Sequence, residues 1–116
     1  MHELSIAMSL VEQVEKVVRE QKAVSVPRIT VTVGQLSGVD PEALRGAFPL
    51  AAEDTPAAGA ELVVELVAAR VRCRACGQSS TPTAPFLFCV GCRSTEVDVE
   101  AGRELYIKSI EVDVDE

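Results

Sequence analysis

Cys73-Arg74-Ala75-Cys76 and Cys89-Val90-Gly91-Cys92 contain all four cysteines of the chain, two pairs with twelve residues between them. The pattern C-x2-C-x12-C-x2-C supplies four thiolates, the number that closes a tetrahedral Zn(II) shell. Each pair predicts a tight turn that aims both sulfurs inward. Gly77, just after the first pair, and Gly91, inside the second, are expected to take up positive φ where the turns need it. Two disulfides would require an oxidising compartment, and redox CxxC motifs usually occur singly beside a βαβ unit. A four-thiolate shell on Cys73, Cys76, Cys89 and Cys92 leaves no open coordination position, so this zinc is structural and does not catalyse.

The pairs define a small zinc-binding module over residues 72–99. Pro82 and Pro85 occupy its central loop, Phe86 and Phe88 precede the second pair, and Val97 and Val99 alternate after it. So little apolar surface does not fold without its metal. Upstream, a strand is expected over about Ala60–Val71, with Leu62, Val64 and Leu66 on one face. Downstream, another covers Glu104–Val114. There Leu105 and Ile107 share one phase and Ile110, Val112 and Val114 the other, which predicts either a bulge near Lys108-Ser109 or burial of both faces.

Toward the N-terminus, Leu4, Ala7, Val11, Val14 and Val18 recur at helical spacing, widened by Leu10 and Val17, and predict an amphipathic helix over Glu3–Gln21. Pro27 marks its exit. Ile29, Val31 and Val33 alternate with Thr30 and Thr32 in a strand over about Arg28–Leu36. Asp40-Pro41-Glu42 combines a capping side chain, a proline suited to the first helical position and an acid at the positive end of the dipole. The second helix runs from there to about Glu53, with Pro49 expected to kink or interrupt it. These elements predict an α+β fold. Two helices pack on a three-stranded sheet, and the zinc-ribbon module is inserted before the last strand and projects from one end. The strands on either side of the insertion are expected to pair. Residues 1–71 and 100–116 form the α/β domain.

The chain has 116 residues, 47% of them hydrophobic, with no Trp, one Tyr and three Phe, so the core is aliphatic. The formal net charge is −7, and four thiolates on one Zn(II) add about two more negative charges. That balance argues against a nucleic-acid partner and admits a basic protein or a metal cation. Arg70, Arg72 and Arg74 cluster at the first pair, but on a strand edge they read as a solvated face. No apolar run reaches membrane-spanning length, and the opening Met-His-Glu has no basic n-region; a cytoplasmic protein is expected.

The one histidine is His2. A large second residue is expected to leave Met1 in place with its amine free. The Met1 α-amine, the His2 backbone nitrogen and His2 Nδ1 then form fused five- and six-membered chelate rings. The Glu3 backbone nitrogen or carboxylate supplies a fourth donor. Nitrogen-rich planar coordination favours Ni(II) or Cu(II) over Zn(II). Protons compete at an amine of pKa about 7.7–8.0 and an imidazole of about 6.5, so binding is labile near neutral pH.

Met1-His2-Glu3-Leu4-Ser5, the strand end Val33-Gly34-Gln35-Leu36-Ser37, Asp40-Pro41-Glu42-Ala43-Leu44 and the paired CxxC motifs together resemble the HypA/HybF hydrogenase nickel-incorporation proteins. The resemblance covers nearly the whole chain. It implies a metallochaperone that binds Ni(II) through Met1, His2 and Glu3 and zinc through the four cysteines. It also implies that nickel passes to the large subunit of nickel–iron hydrogenase in concert with the GTPase HypB, and that the protein is a monomer or homodimer. Extra histidines found near the zinc module in some members are absent; Arg93 follows Cys92 directly. The competing reading is a zinc-ribbon adaptor that binds protein and needs no second metal. An enzyme is not expected: no second histidine exists for an acid–base relay, and the cysteines are committed to zinc.

Overall fold

Glu3–Gln21 forms the first helix, α1, and its register follows the apolar stripe: Ala7, Leu10, Val11 and Val14 are buried, while Leu4 is exposed. The computed structural model describes residues 3–82 and 87–115, so the expectations placed on Met1, His2, Pro85 and Phe86 lie outside the described residues. Lys22 ends α1 in the left-handed region, with φ 54°, a one-residue reversal of the kind that commonly terminates helices. The chain enters β1 (Ala23–Gly34) at once.

That strand begins five residues earlier than the expected Arg28, and Pro27 lies inside it. The reason is local. Pairing of β1 with the last strand shifts register between Ser25 and Arg28, and the second neighbour of β1 joins only from Arg28 onward. A proline is tolerated at such an irregularity because no ladder hydrogen bond is required of its missing N–H.

After a turn at Gln35–Ser37, α2 (Pro41–Ala52) starts as expected, with Asp40 Oδ1 accepting the Glu42 N–H at 3.0 Å. Pro49 does not interrupt it. It lies in the last turn, where its missing N–H forfeits a single bond to the preceding turn. Leu44, Phe48 and Ala52 pack with α1 and one face of the sheet, where Ile29, Val31 and Val33 are essentially inaccessible.

The expected single strand over Ala60–Val71 is two strands in different sheets, β2 (Glu61–Val67) and β3 (Arg70–Cys73). The small residues Ala68 and Ala69 form the crossing between them. The module contains β3, β4 (Ser79–Ser80) and β5 (Val97–Ala101), ordered β4-β3-β5. The chain then returns as β6 (Leu105–Val114). The main sheet is ordered β2-β1-β6, with β1–β2 parallel and β1–β6 antiparallel. The expected pairing of the strands flanking the insertion therefore does not occur between β2 and β6, because β1 lies between them. A different pairing closes the module, between β3 and β5.

The phase change in β6 is a bulge. Thr30 faces Ser109 and Val31 faces Ile107, which leaves Lys108 as the extra residue. The bulge puts Ile107 and Ile110 on the same side, and both pack against the core. On the opposite, helix-free face, Lys108 Nζ reaches over β1 to Glu65 Oε1 on β2 at 2.7 Å. Arg28 contacts Glu61 at 2.7 Å and Glu111 at 3.4 Å. These exposed pairs are worth at most about 1 kcal/mol each; they keep the open face polar.

The Cα radius of gyration is 17.6 Å, against about 13 Å for a spherical domain of this length. The excess, and the 57 Å longest extent, fit a four-cysteine module that projects from the α/β layer pair. No described helix is long and apolar enough to cross a membrane.

Candidate metal centre

Cys73 is the last residue of β3, and Cys76 lies one turn further on. In both pairs the backbone folds back on the first sulfur: the Cys76 N–H points at Cys73 Sγ, 3.3 Å away, and the Cys92 N–H at Cys89 Sγ, 3.4 Å away. Cys73 and Cys89 are buried, and Cys76 and Cys92 are exposed. The two turns face each other. Cys73 Sγ lies 3.6 Å from Cys92 Sγ, and Cys76 Sγ lies 3.6 Å from Cys89 Sγ. All four sulfurs fall within 4.8 Å of one another.

These separations are far beyond a disulfide bond of about 2.05 Å. The two 3.6 Å separations sit close to the edge of about 3.8 Å that a tetrahedron with Zn–S bonds of about 2.3 Å demands. The cluster fits Zn(II), and its donors are all sulfur, which favours zinc over harder cations.

The sulfurs are electrostatically unequal. The Cys92 N–H, assisted by the neighbouring thiols and outweighing burial, pulls the Cys89 thiol down to about 6. The Cys76 N–H likewise lowers Cys73. Cys92 receives a lowering contact from the Ser94 backbone, but its sulfur neighbours Cys73 and Cys89 and its desolvation push it up to about 12. Cys76 is raised for the same reasons, against a contact from the Gln78 backbone. Two sulfurs are thus favoured as thiolates and two disfavoured; a bound cation would favour the thiolate at all four.

Positive φ falls at Gly77, as expected, with φ 78°, but in the second turn it falls at Arg93, with φ 65°, and not at Gly91. The turn places its left-handed residue directly after the second cysteine in both pairs, a symmetry already visible in their spacing. Arg70 and Arg74 are engaged by Glu100 at 3.5 Å and Asp98 at 2.7 Å, which offsets their charge locally.

At the other metal-binding expectation, Glu3 is the first residue of α1, and its carboxylate accepts the Asp40 N–H at 3.2 Å. The start of α1 is thereby fastened to the residue that caps α2. Sequence patterns did not reveal this contact, because it joins positions with no periodic relation. Beside the start of α2, Val39, Pro41, Leu66, Val67 and Ala68 line an open apolar cleft of about 420 Å³.

Residues 1–112 match the family model described as "Hydrogenase/urease nickel incorporation, metallochaperone, hypA". A hydrogenase maturation factor HypA from Chlorobaculum parvum is 42% identical over 113 residues, covering 97% of this chain and all of the relative. Its counterpart from Aquifex aeolicus is 38% identical over 115 residues, covering 99% of this chain and again all of the relative. Among solved structures, the Ni metallochaperone HypA from Helicobacter pylori superposes with a TM-score of 0.68 at 26% identity, over 99% of this chain and all of that one. A second HypA solution structure gives 0.71 at 26% identity, over 99% and 98% of the two chains. Fold, cysteine cluster and sequence similarity agree from end to end: the chain belongs to the HypA family of nickel-incorporation metallochaperones that act in hydrogenase maturation.

Proposed function

We propose that this chain carries Ni(II) as cargo on Met1, His2 and Glu3 and hands it to the large subunit of nickel–iron hydrogenase. HypB is proposed as the GTPase partner, and the cytoplasm as the compartment. Residues 1–71 and 100–116 serve as the nickel-binding domain, and residues 72–99 as the zinc-binding one. The reading is carried by one observation: Glu3, adjoining the amine and imidazole donors in sequence, is held at a fixed place by the Asp40 N–H. A donor anchored on a helix start orients the chelate, while amine and imidazole donors that protonate near neutral pH keep the metal exchangeable.

Zinc, when bound by Cys73, Cys76, Cys89 and Cys92, supplies folding energy and leaves no open position. Neither metal is assigned a catalytic role.

Equilibrium dialysis against Ni(II) with wild-type and His2→Ala protein, both zinc-loaded, tests the proposal. A large loss of nickel affinity in a folded variant is expected; equal affinity would overturn the assignment and leave the zinc-ribbon adaptor as the better reading. An N-terminal extension, which removes the amine donor, is expected to weaken binding as well. X-ray absorption on protein loaded with one zinc and one nickel should report four sulfurs around zinc and a nitrogen-rich planar nickel.

A further inference from the structure

We infer that Gln35 is a positioning residue that locks the zinc-binding sheet at one angle to the α/β body. The chain crosses between the two sheets twice, outward through Ala68-Ala69 and back through Gly102-Arg103-Glu104. Both crossings are fastened to the same short segment, Gly34–Leu36. The Gly34 N–H donates to the Glu104 carbonyl at 2.7 Å, the Gln35 N–H to the Val67 carbonyl at 2.8 Å, and the Leu36 N–H to the Gly102 carbonyl at 2.6 Å. The Gln35 side chain adds the bond that ordinary sheet pairing does not provide: its Oε1 accepts the Ala69 N–H at 2.8 Å.

Three chain segments meet here with no room to spare. A Cβ on Gly34 would lie 2.1 Å from the Gly102 carbonyl oxygen. One on Gly102, where φ is 119°, would lie 2.9 Å from Ala69 Cα. Ala69 is 1% exposed, so its N–H needs an internal acceptor, and an unpaired buried donor is costly. Two bare linkers of two or three residues would act as a hinge; the amide of Gln35 bonds one while its own backbone segment bonds both. A partner consequently meets both bodies in a single fixed arrangement. This inference does not depend on the nickel assignment, because every contact in it lies away from Met1 and His2.

The test uses zinc-loaded, full-length protein in three forms: wild type, Gln35→Ala and Gln35→Glu. The last keeps an acceptor oxygen for the Ala69 N–H. Alignment tensors fitted separately to residual dipolar couplings of the two sheets should coincide in the wild type, diverge in Gln35→Ala and coincide again in Gln35→Glu. Exchange of the Ala69 amide should speed up about tenfold in Gln35→Ala, as expected for loss of one net hydrogen bond, and recover in Gln35→Glu. Coincident tensors and an unchanged Ala69 amide in folded Gln35→Ala would overturn the inference, whatever the protein's nickel affinity.

Discussion

Arg93 occupies in the second cysteine turn the place that Gly77 holds in the first. The Gly77 N–H donates to the Cys73 carbonyl at 2.9 Å, and the Arg93 N–H donates to the Cys89 carbonyl at 2.8 Å. Both residues sit in the left-handed region, where a side chain costs about 1–2 kcal/mol and glycine costs nothing. Arg93→Gly should therefore stabilise the zinc-loaded protein by several tenths to about 1 kcal/mol, after the added freedom of the unfolded chain is subtracted. Chemical denaturation followed on the module measures it. A loss of stability would mean that the Arg93 side chain makes a contribution larger than its backbone strain.

The inequality of the sulfurs belongs to the folded module, where Cys89 is lowered from the ordinary 9.0 to about 6 and Cys92 is raised to about 12. The linkage signs are opposite. The depressed Cys89 contributes stability that is present above pH 9.0 and lost as pH falls through about 6. The raised Cys92 contributes stability present below 9.0 and lost as pH rises through about 12. Because the module unfolds without zinc, metal-free protein should lose the split, and its four thiols should ionise together near the free-cysteine value of about 8.5. Thiolate absorbance followed against pH checks this; a separate early step that Cys89→Ser removes would mean that the turns keep their fold without zinc.

Zinc removal should divide the molecule. Structural zinc contributes roughly 10–16 kcal/mol of apparent folding energy in small modules near neutral pH. Cys76→Ser, or a strong chelator, is expected to abolish the β4-β3-β5 sheet while the helical circular dichroism of α1 and α2 persists. Retention of full zinc stoichiometry and of dispersed amide resonances for residues 70–101 in Cys76→Ser would refute the four-sulfur assignment.

Deleting Lys108 should be among the most damaging changes to β6. The deletion removes the bulge, and because side chains alternate with period two, everything on one side of it must turn over. Either Leu105 and Ile107 or Ile110 and Val112 then leave the core face they share. Two partly buried aliphatic side chains, each somewhat short of the about 1.5–3 kcal/mol of full burial, imply a loss of about 2–5 kcal/mol. Lys108→Ala, which keeps the bulge and loses only the exposed pair with Glu65, should cost less than about 1 kcal/mol. Comparing the two by urea denaturation separates the backbone effect from the charge effect.

Most of this architecture was legible in the residues. The bounds of α1 and the cap of α2 at Asp40 each rest on a local rule, and each appears where that rule places it; of the two readings open for the last strand, the bulge near Lys108 is the one found. The departures come from longer-range geometry. Pro27 reads as a strand breaker until the register shift beside it is known. Residues 60–71 read as one strand because β-propensity says nothing about a change of sheet at Ala68-Ala69. Gly91 draws the expectation of a left-handed residue in the second turn, although the repeat of the first turn places it two positions later, at Arg93. The cysteine spacing suggested a metal cluster directly, since a closed shell needs four donors in two tight turns. The bond between Glu3 and Asp40 has no signature in sequence.

The position of β1 between β2 and β6 has a consequence for how the protein is made. Helix, strand, helix and parallel strand are complete by Val67, yet Ile29 waits for Ile110 to finish its sheet. The intervening stretch must first be drawn together, and the entropic cost of closing a loop rises with its length. Zinc held by the four cysteines would tie that stretch into a folded unit whose two ends leave side by side, at Arg70 and Ala101, and so deliver β6 close to its slot. Synthesised under zinc scarcity, the chain would linger with one edge of β1 bare, a state prone to mispairing with other strands. Zinc supply is thus expected to set how much of the chain reaches its finished sheet.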